Sequence, residues 1–192
     1  MILLIRGGSI ASGYGVDKSY VDILTEALRP GGIKIINRSK YRETTFDGIE
    51  LFDKEMVKYK PDVVLIHFGV DDAFQCVYRS EFQENLVQMI RLARRLFNPL
   101  IFLATSHTFD NPNDMSAVSI FYRSIGIVSS DLKCEMIPVH HYWNAYLEKN
   151  DLSNRDLTQQ DSRYPNEQGH EVIAGIMFDA LRRLWGRIGP VQ

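Results

Sequence analysis

Ser9 lies in MILLIRGGSIASGYG, where an unbroken apolar run gives way to a turn rich in Gly and Ser. A hydroxyl held there can act as a nucleophile if a base within hydrogen-bond reach takes its proton as it attacks. Histidine suits that task because its unperturbed pKa lies near working pH. His107 follows the apolar run LIFLAT, and His140 and His141 close the run MIPVHH, so these three are the candidate bases. Each also has a plainer role, as a polar residue at a strand end bonded to backbone or water, and Ser9 has one as a cap on the first helical region. A second chemistry would gather Asp71, Asp72, Asp161 and the strand-end histidines around a metal ion as hard and borderline ligands. No ligand spacing of recognised form supports it, and neither a metal nor another cofactor is expected.

The elements that would position these groups are legible as alternating short apolar runs and longer segments of helical period. Runs at residues 1–5, 33–37, 63–68, 100–105 and 136–141 predict five strands, and residues 18–28, 49–59, 81–96, 116–132 and 167–185 predict the helices between them. In the third helix Phe82, Leu86, Met89, Ile90, Ala93 and Leu96 recur at steps of three and four. The first run is apolar without alternation, as expected of a central parallel strand covered on both faces. Gly7, Gly8, Gly13 and Gly15 then free the backbone to raise a side chain at the carboxyl end of the sheet, where open α/β folds place ligands. Pro30-Gly31-Gly32, Pro61 and Asn98-Pro99 fall at the expected boundaries. Residues 144–166 are polar and read as a surface loop or a frayed helix over that edge. The expected architecture is α/β, a three-layer α/β/α sandwich on a five-stranded parallel sheet, as one domain spanning residues 1–192.

Composition narrows the function classes. The chain has 192 residues, a formal charge of -2 and 45% hydrophobic residues, enough to bury roughly 70% of its unfolded surface without staples. The charge balance argues against a protein that binds nucleic acid through phosphates, and residues 91–95, the densest basic stretch, read as the solvated side of a helix. Cys76 and Cys134 form neither a disulfide framework nor a metal-ligand pair. No apolar stretch approaches membrane-spanning length, and Met1 runs directly into a strand without leader features. A cytoplasmic protein without membrane contact is therefore expected. Oligomeric state leaves no mark in the sequence.

Three segments in order resemble the SGNH (GDSL-type) hydrolase superfamily. GGSIASGYG is similar to the family's GDS turn, VVLIHFGVDDA to its GxND block, and DSRYPNEQGHEVIA to the block in which Asp and His stand three residues apart before the last helix. The resemblance implies a flavodoxin-like SGNH-hydrolase fold, cleavage of an acyl ester of a carbohydrate or small molecule, Ser9 as nucleophile and Asp161 as the acidic partner. It also marks departures. Gly8 replaces the Asp of GDS, Arg42 falls where the family has an oxyanion-binding glycine, Asp71 replaces the oxyanion Asn, and Tyr164 replaces the catalytic His.

These departures bear on the chemistry. A tyrosine with a reference pKa near ~10 stays protonated at neutral pH and is a poor base. An ionised Asp71 has no donor for an oxyanion and adds negative charge beside it. Arg42 supplies positive charge, either to grip an anionic group or to pair with Asp71. Two readings stay open on these residues: a hydrolase with an altered base, and a pseudoenzyme that keeps the fold as a small-molecule, glycan or partner-binding domain.

Overall fold

The computed structural model describes the backbone of residues 1–188 and the side chains of residues 1–183; the last four residues of the expected domain, and the Trp185 side chain that closes the expected last helix, lie outside the described residues. In chain order the elements are β1 (Ile2–Gly7), α1 (Ser9–Ser12), α2 (Tyr20–Leu28), β2 (Lys34–Asn37), α3 (Thr45–Glu50), α4 (Phe52–Tyr59), β3 (Val63–His67), α5 (Val70–Phe74), α6 (Arg79–Leu96), β4 (Leu100–Ala104), α7 (Pro112–Asp131), β5 (Glu135–Ile137), α8 (Val139–Asn150), α9 (Asn154–Leu157) and α10 (Glu167–Ile188). The five strands form one parallel sheet in the order β2-β1-β3-β4-β5. Helices α2, α8 and α10 pack together, and α3 to α7 pack together, so the sheet is covered on both sides. Leu3, Leu4, Ile5, Val64, Leu65 and Leu103 are buried, which is why the strand runs are apolar without alternation.

The strand order places β1 and β3 side by side, with Gly7 opposite His67. Chain order and spatial order diverge there, because β2 lies on the other side of β1. Such a switch point opens a crevice beyond the carboxyl ends of the strands. The turns after β1 and β3, carrying Ser9 and Asp71, meet at that crevice.

Three expected elements differ. Residues 136–141 are not one strand: Pro138 stops β5 and opens α8, so His140 and His141 lie in the first turn of a helix rather than at a strand end. Residues 144–166, expected as a loop or a frayed helix, hold the end of α8, which runs to Asn150, and then α9; Val139, Trp143 and Leu147 repeat at steps of four and are buried, a helical signal outweighed by the polar residues around it. Finally, the helix expected over 49–59 is two, α3 and α4, separated at Leu51. Among the described residues no helix is long and apolar enough to cross a membrane, and Cys76 and Cys134 are free thiols.

Candidate active site

Ser9 opens α1 immediately beyond β1 and is fully buried. Its hydroxyl donates to Asp71 Oδ1 at 2.6 Å, and its backbone N–H donates to Asp71 Oδ2 at 2.7 Å. One carboxylate thus grips both polar groups of the serine. The Arg42 N–H donates to Ser9 Oγ at 2.9 Å. Where the resemblance expects a glycine N–H, an arginine therefore offers the same backbone donor. The Asp71 carboxylate is taken by Ser9 rather than by the Arg42 guanidinium, whose charge acts on it through space.

Gly8 makes this grip possible. A β-carbon there would overlap Asp71 Oδ2 and the Glu43 carbonyl oxygen, so the absence of a side chain at position 8 and the carboxylate at position 71 belong together. Burial pushes the Asp71 carboxyl above its ordinary value, while the two Ser9 hydrogen bonds and the nearby Arg42 and Arg163 pull the other way. Its neighbour Asp72 serves another purpose. It accepts from Thr45 N at 2.8 Å, Thr45 Oγ1 at 2.7 Å and Gly69 N at 3.0 Å, and burial raises it to about 6.

Tyr164 packs into a ring of tyrosines around the serine. Tyr14, whose N–H bonds the Ser9 carbonyl, stacks on Tyr41 with centroids 3.9 Å apart, and Tyr164 meets Tyr14 edge-on at 4.8 Å. Burial, then the Asp71 charge, push the Tyr164 phenol to about 12, with Ser9 and Arg163 opposing. At neutral pH it is a donor. Asp161 does not reach Tyr164 with its side chain: it grips Arg163, at 2.9 Å and 3.0 Å from Nε, and that guanidinium holds its carboxyl below the ordinary range. Arg163 in turn lies over the rings of Phe74 and Tyr164.

A profile of the GDSL-like Lipase/Acylhydrolase family matches residues 6–172. The chain belongs to this family. An arylesterase of Vibrio mimicus is 31% identical over 96 residues, about half the length of each protein at 48% and 48%. Esterase TesA of Pseudomonas aeruginosa is 26% identical over 141 residues, 71% of this chain and 69% of the esterase. Among solved structures, a crystal structure of TesA superposes with a TM-score of 0.81 at 22% identity, covering 96% of this chain and 99% of that one. A catalytic mutant of an acetylxylan esterase from Geobacillus stearothermophilus superposes at 0.82 with 19% identity over 93% of both. At these identities the superpositions establish the fold.

Within this GDSL-family site His107 and His140 are engaged elsewhere, and His141 is exposed beside His140. His107 is fully buried, its ring between Ser106 Oγ and the Ser162 carbonyl oxygen, each 3.1 Å away, and burial lowers it to about 4. It therefore props the turn that carries Asp161 and Tyr164. His140 bonds Thr105 Oγ1 at 2.7 Å and is lowered to about 4 by burial and by His141, whose ring is 4.0 Å away. Among the described residues no histidine hydrogen-bonds Ser9, and no group of three or more His, Cys, Asp or Glu is placed to hold a metal ion. Asp71, Asp72 and Asp161 are directed to Ser9, Thr45 and Arg163 respectively.

Sequence reasoning passed over Arg6, Glu43 and Glu55. Arg6 is 1% exposed, and its guanidinium bonds Glu43 and pairs with Glu55 behind the serine turn. A signal for it existed: an arginine ending the apolar run MILLI, at a position that a buried central strand would ordinarily fill with another aliphatic residue.

Proposed function

We propose that this GDSL-family chain is an acyl-ester hydrolase in which Ser9 is the nucleophile and Asp71, rather than a histidine, takes its proton. The observation that carries the reading is the 2.6 Å hydrogen bond from Ser9 Oγ to Asp71 Oδ1. As Oγ attacks the ester carbonyl, its proton passes to Asp71, which becomes neutral and no longer repels the growing oxyanion. The Ser9 and Arg42 N–H groups then turn to that oxygen. Asp71 hands its proton to the leaving alkoxide as the C–O bond breaks, and a water reverses the sequence to free Ser9. Tyr164, held protonated, donates to the polar groups of the substrate. The substrate class is an acyl ester of a carbohydrate or other small molecule, bound without nucleic acid or membrane. The free thiols Cys76 and Cys134 suit a reducing compartment, and a cytoplasmic setting is part of the proposal.

A carboxylate is a weaker base than an imidazole by about 2.6 pKa units on reference values, and burial of Asp71 acts to narrow that gap. Turnover slower than that of a histidine-assisted serine esterase follows. One observation favours the alternative of a catalytically silent binding domain: Ser9 is 0% exposed and both backbone donors are already satisfied inside the molecule.

Hydrolysis of p-nitrophenyl acetate by the wild type, Ser9→Ala and Asp71→Asn separates the two. The hydrolase reading expects wild-type turnover that both variants lose, with an acid limb set by ionisation of Asp71. Asp71→Asn restores a donor but removes the base, so faster turnover in that variant would identify Asp71 as a plug, and equal background rates in all three would leave the binding reading.

A further inference from the structure

Arg42 stands in the left-handed region with φ 62°, an arrangement that costs a non-glycine residue roughly 1 kcal/mol or more. Its N–H nevertheless meets Ser9 Oγ at 2.9 Å. Such a backbone persists only where its surroundings over-determine it. On one side Asp72 holds Thr45 and the Gln75 side chain donates to the Arg42 carbonyl at 2.7 Å. On the other side stands Arg6. Its guanidinium donates to the Arg38 carbonyl, the Glu43 carboxylate and, at 3.0 Å, the Asp47 carbonyl, while Nε lies 3.1 Å from Glu55 Oε2. Glu55 also pairs with Arg38 at 3.1 Å, and Glu43 with Lys40 at 3.2 Å.

Three of the four Arg6 partners fall within residues 38–47, bracketing Arg42. A buried ion pair is poor value as a stabiliser, because desolvating the charges offsets much of their attraction and an aliphatic residue often does as well. What the rigid guanidinium fork adds is geometry, since it fixes several acceptors at once. We infer that Arg6 is a positioning residue for the Ser9 centre, acting through Glu43 and the 38–47 backbone to hold the Arg42 N–H on the serine oxygen. Its catalytic consequence rests on the reading of Ser9 as a nucleophile; the placement of the Arg42 N–H does not.

Arg6→Lys keeps the charge and loses the fork, and Glu43→Gln removes the charged partner at the less buried end of the network, where folding is less at stake. Amide hydrogen exchange followed by NMR is expected to accelerate at Arg42 by about 10-fold in both variants, with amides of β3 unchanged. In p-nitrophenyl acetate hydrolysis kcat should fall about 10-fold while KM stays within about 2-fold, as for a misplaced oxyanion donor. Unchanged Arg42 exchange in a folded variant would overturn the inference, and so would acceleration spread evenly over the sheet, which marks a merely structural role. A wild type without turnover would overturn the hydrolase reading instead, and the exchange comparison would still decide the role of Arg6. Should Arg6→Lys fail to fold, Glu43→Gln carries the test.

Discussion

The two halves of the candidate site are built to opposite rules. The half at the β1/β3 switch point is buried and saturated: Ser9, Asp71 and the Arg42 N–H satisfy one another, with Asp72 and Arg6 bracing the segment that brings Arg42 in. The half that precedes α10 is partly exposed, and its two charged side chains pair with each other. Asp161 is spent on Arg163 and Tyr164 packs against Tyr14. In the family pattern that this chain resembles, a histidine between the halves would join them into one relay. Here Tyr164 stands at that position, the Ser9 hydroxyl is bonded to Asp71, and Tyr164 with Arg163 forms an aromatic and cationic wall. The two halves nevertheless touch, through the Tyr14–Tyr164 ring contact and the Gln159 side chain that donates to the Tyr14 carbonyl at 2.8 Å.

Breaking each half separately tests this contrast, and the largest difference is expected in catalysis. Asp71→Asn should lower kcat for p-nitrophenyl acetate by about 10² to 10³-fold, the size of a general-base contribution, whereas Asp161→Asn should change it by no more than about 3-fold. Comparable losses in the two variants would mean that the halves still work as one.

The next effect is on stability and sharpens the contrast between neutral buried histidines and acidic groups. Burial lowers His67 to about 3 and His107 and His170 to about 4, against an unfolded value near ~6.5. Between these limits the unfolded chain binds more protons, so the stabilisation is complete above the unfolded value and is lost as pH falls towards 4. Each histidine is worth on the order of 3 kcal/mol across that range. Asp72, raised to about 6, acts with the opposite sign and a similar size, since the folded protein takes up its proton first. His140, also lowered to about 4, joins the three histidines, and Asp71, also raised, joins Asp72; four groups outweigh two, so the urea midpoint should drop steadily from pH 7 to pH 4.5, and a flat profile would refute the balance.

Gly8→Ala gives a smaller stability effect confined to the nucleophile half. The β-carbon must displace Asp71 or the Glu43 carbonyl, so a loss of about 1–3 kcal/mol is expected, a Tm drop of roughly 3–10 °C. The same change made in an Asp71→Ala background should cost less, because one of the two clashes is gone. An equal cost in both backgrounds would show that Gly8 answers to the Glu43 backbone alone.

Much of the fold was legible because burial on both faces leaves a plain mark on a strand: MILLI and VVLIHF are apolar without alternation, and α6 repeats its apolar residues at helical steps. Where the expectation failed, a single residue governed the outcome. Pro138 converted the second half of a predicted strand into a helix start and placed His140 against Thr105 rather than Ser9, and the polar residues of α8 concealed its buried stripe. The candidate site was legible only as positions that the fold brings together. Ser9, Arg42, Asp71 and Tyr164 do gather at one edge, and Asp161 lies beside them in the Arg163 turn. Their relations were not legible: Asp71 was read as a lost oxyanion donor, and only the structure shows its carboxylate on the serine itself.

By itself the amino-acid sequence determined the order of strands and helices, the glycine-rich turn that lifts Ser9, and the presence of a tyrosine at 164 where the resemblance expects a histidine. These are properties of local pattern and residue type. The tertiary structure alone decided which groups became partners: that Gly8 leaves room for Asp71, that Arg6 crosses to the segment bearing Arg42, and that His107 braces the Asp161 turn instead of serving Ser9. Hydrogen bonds and ion pairs act over about 3 Å, and residues tens of positions apart reach that distance only once the sheet has set its register.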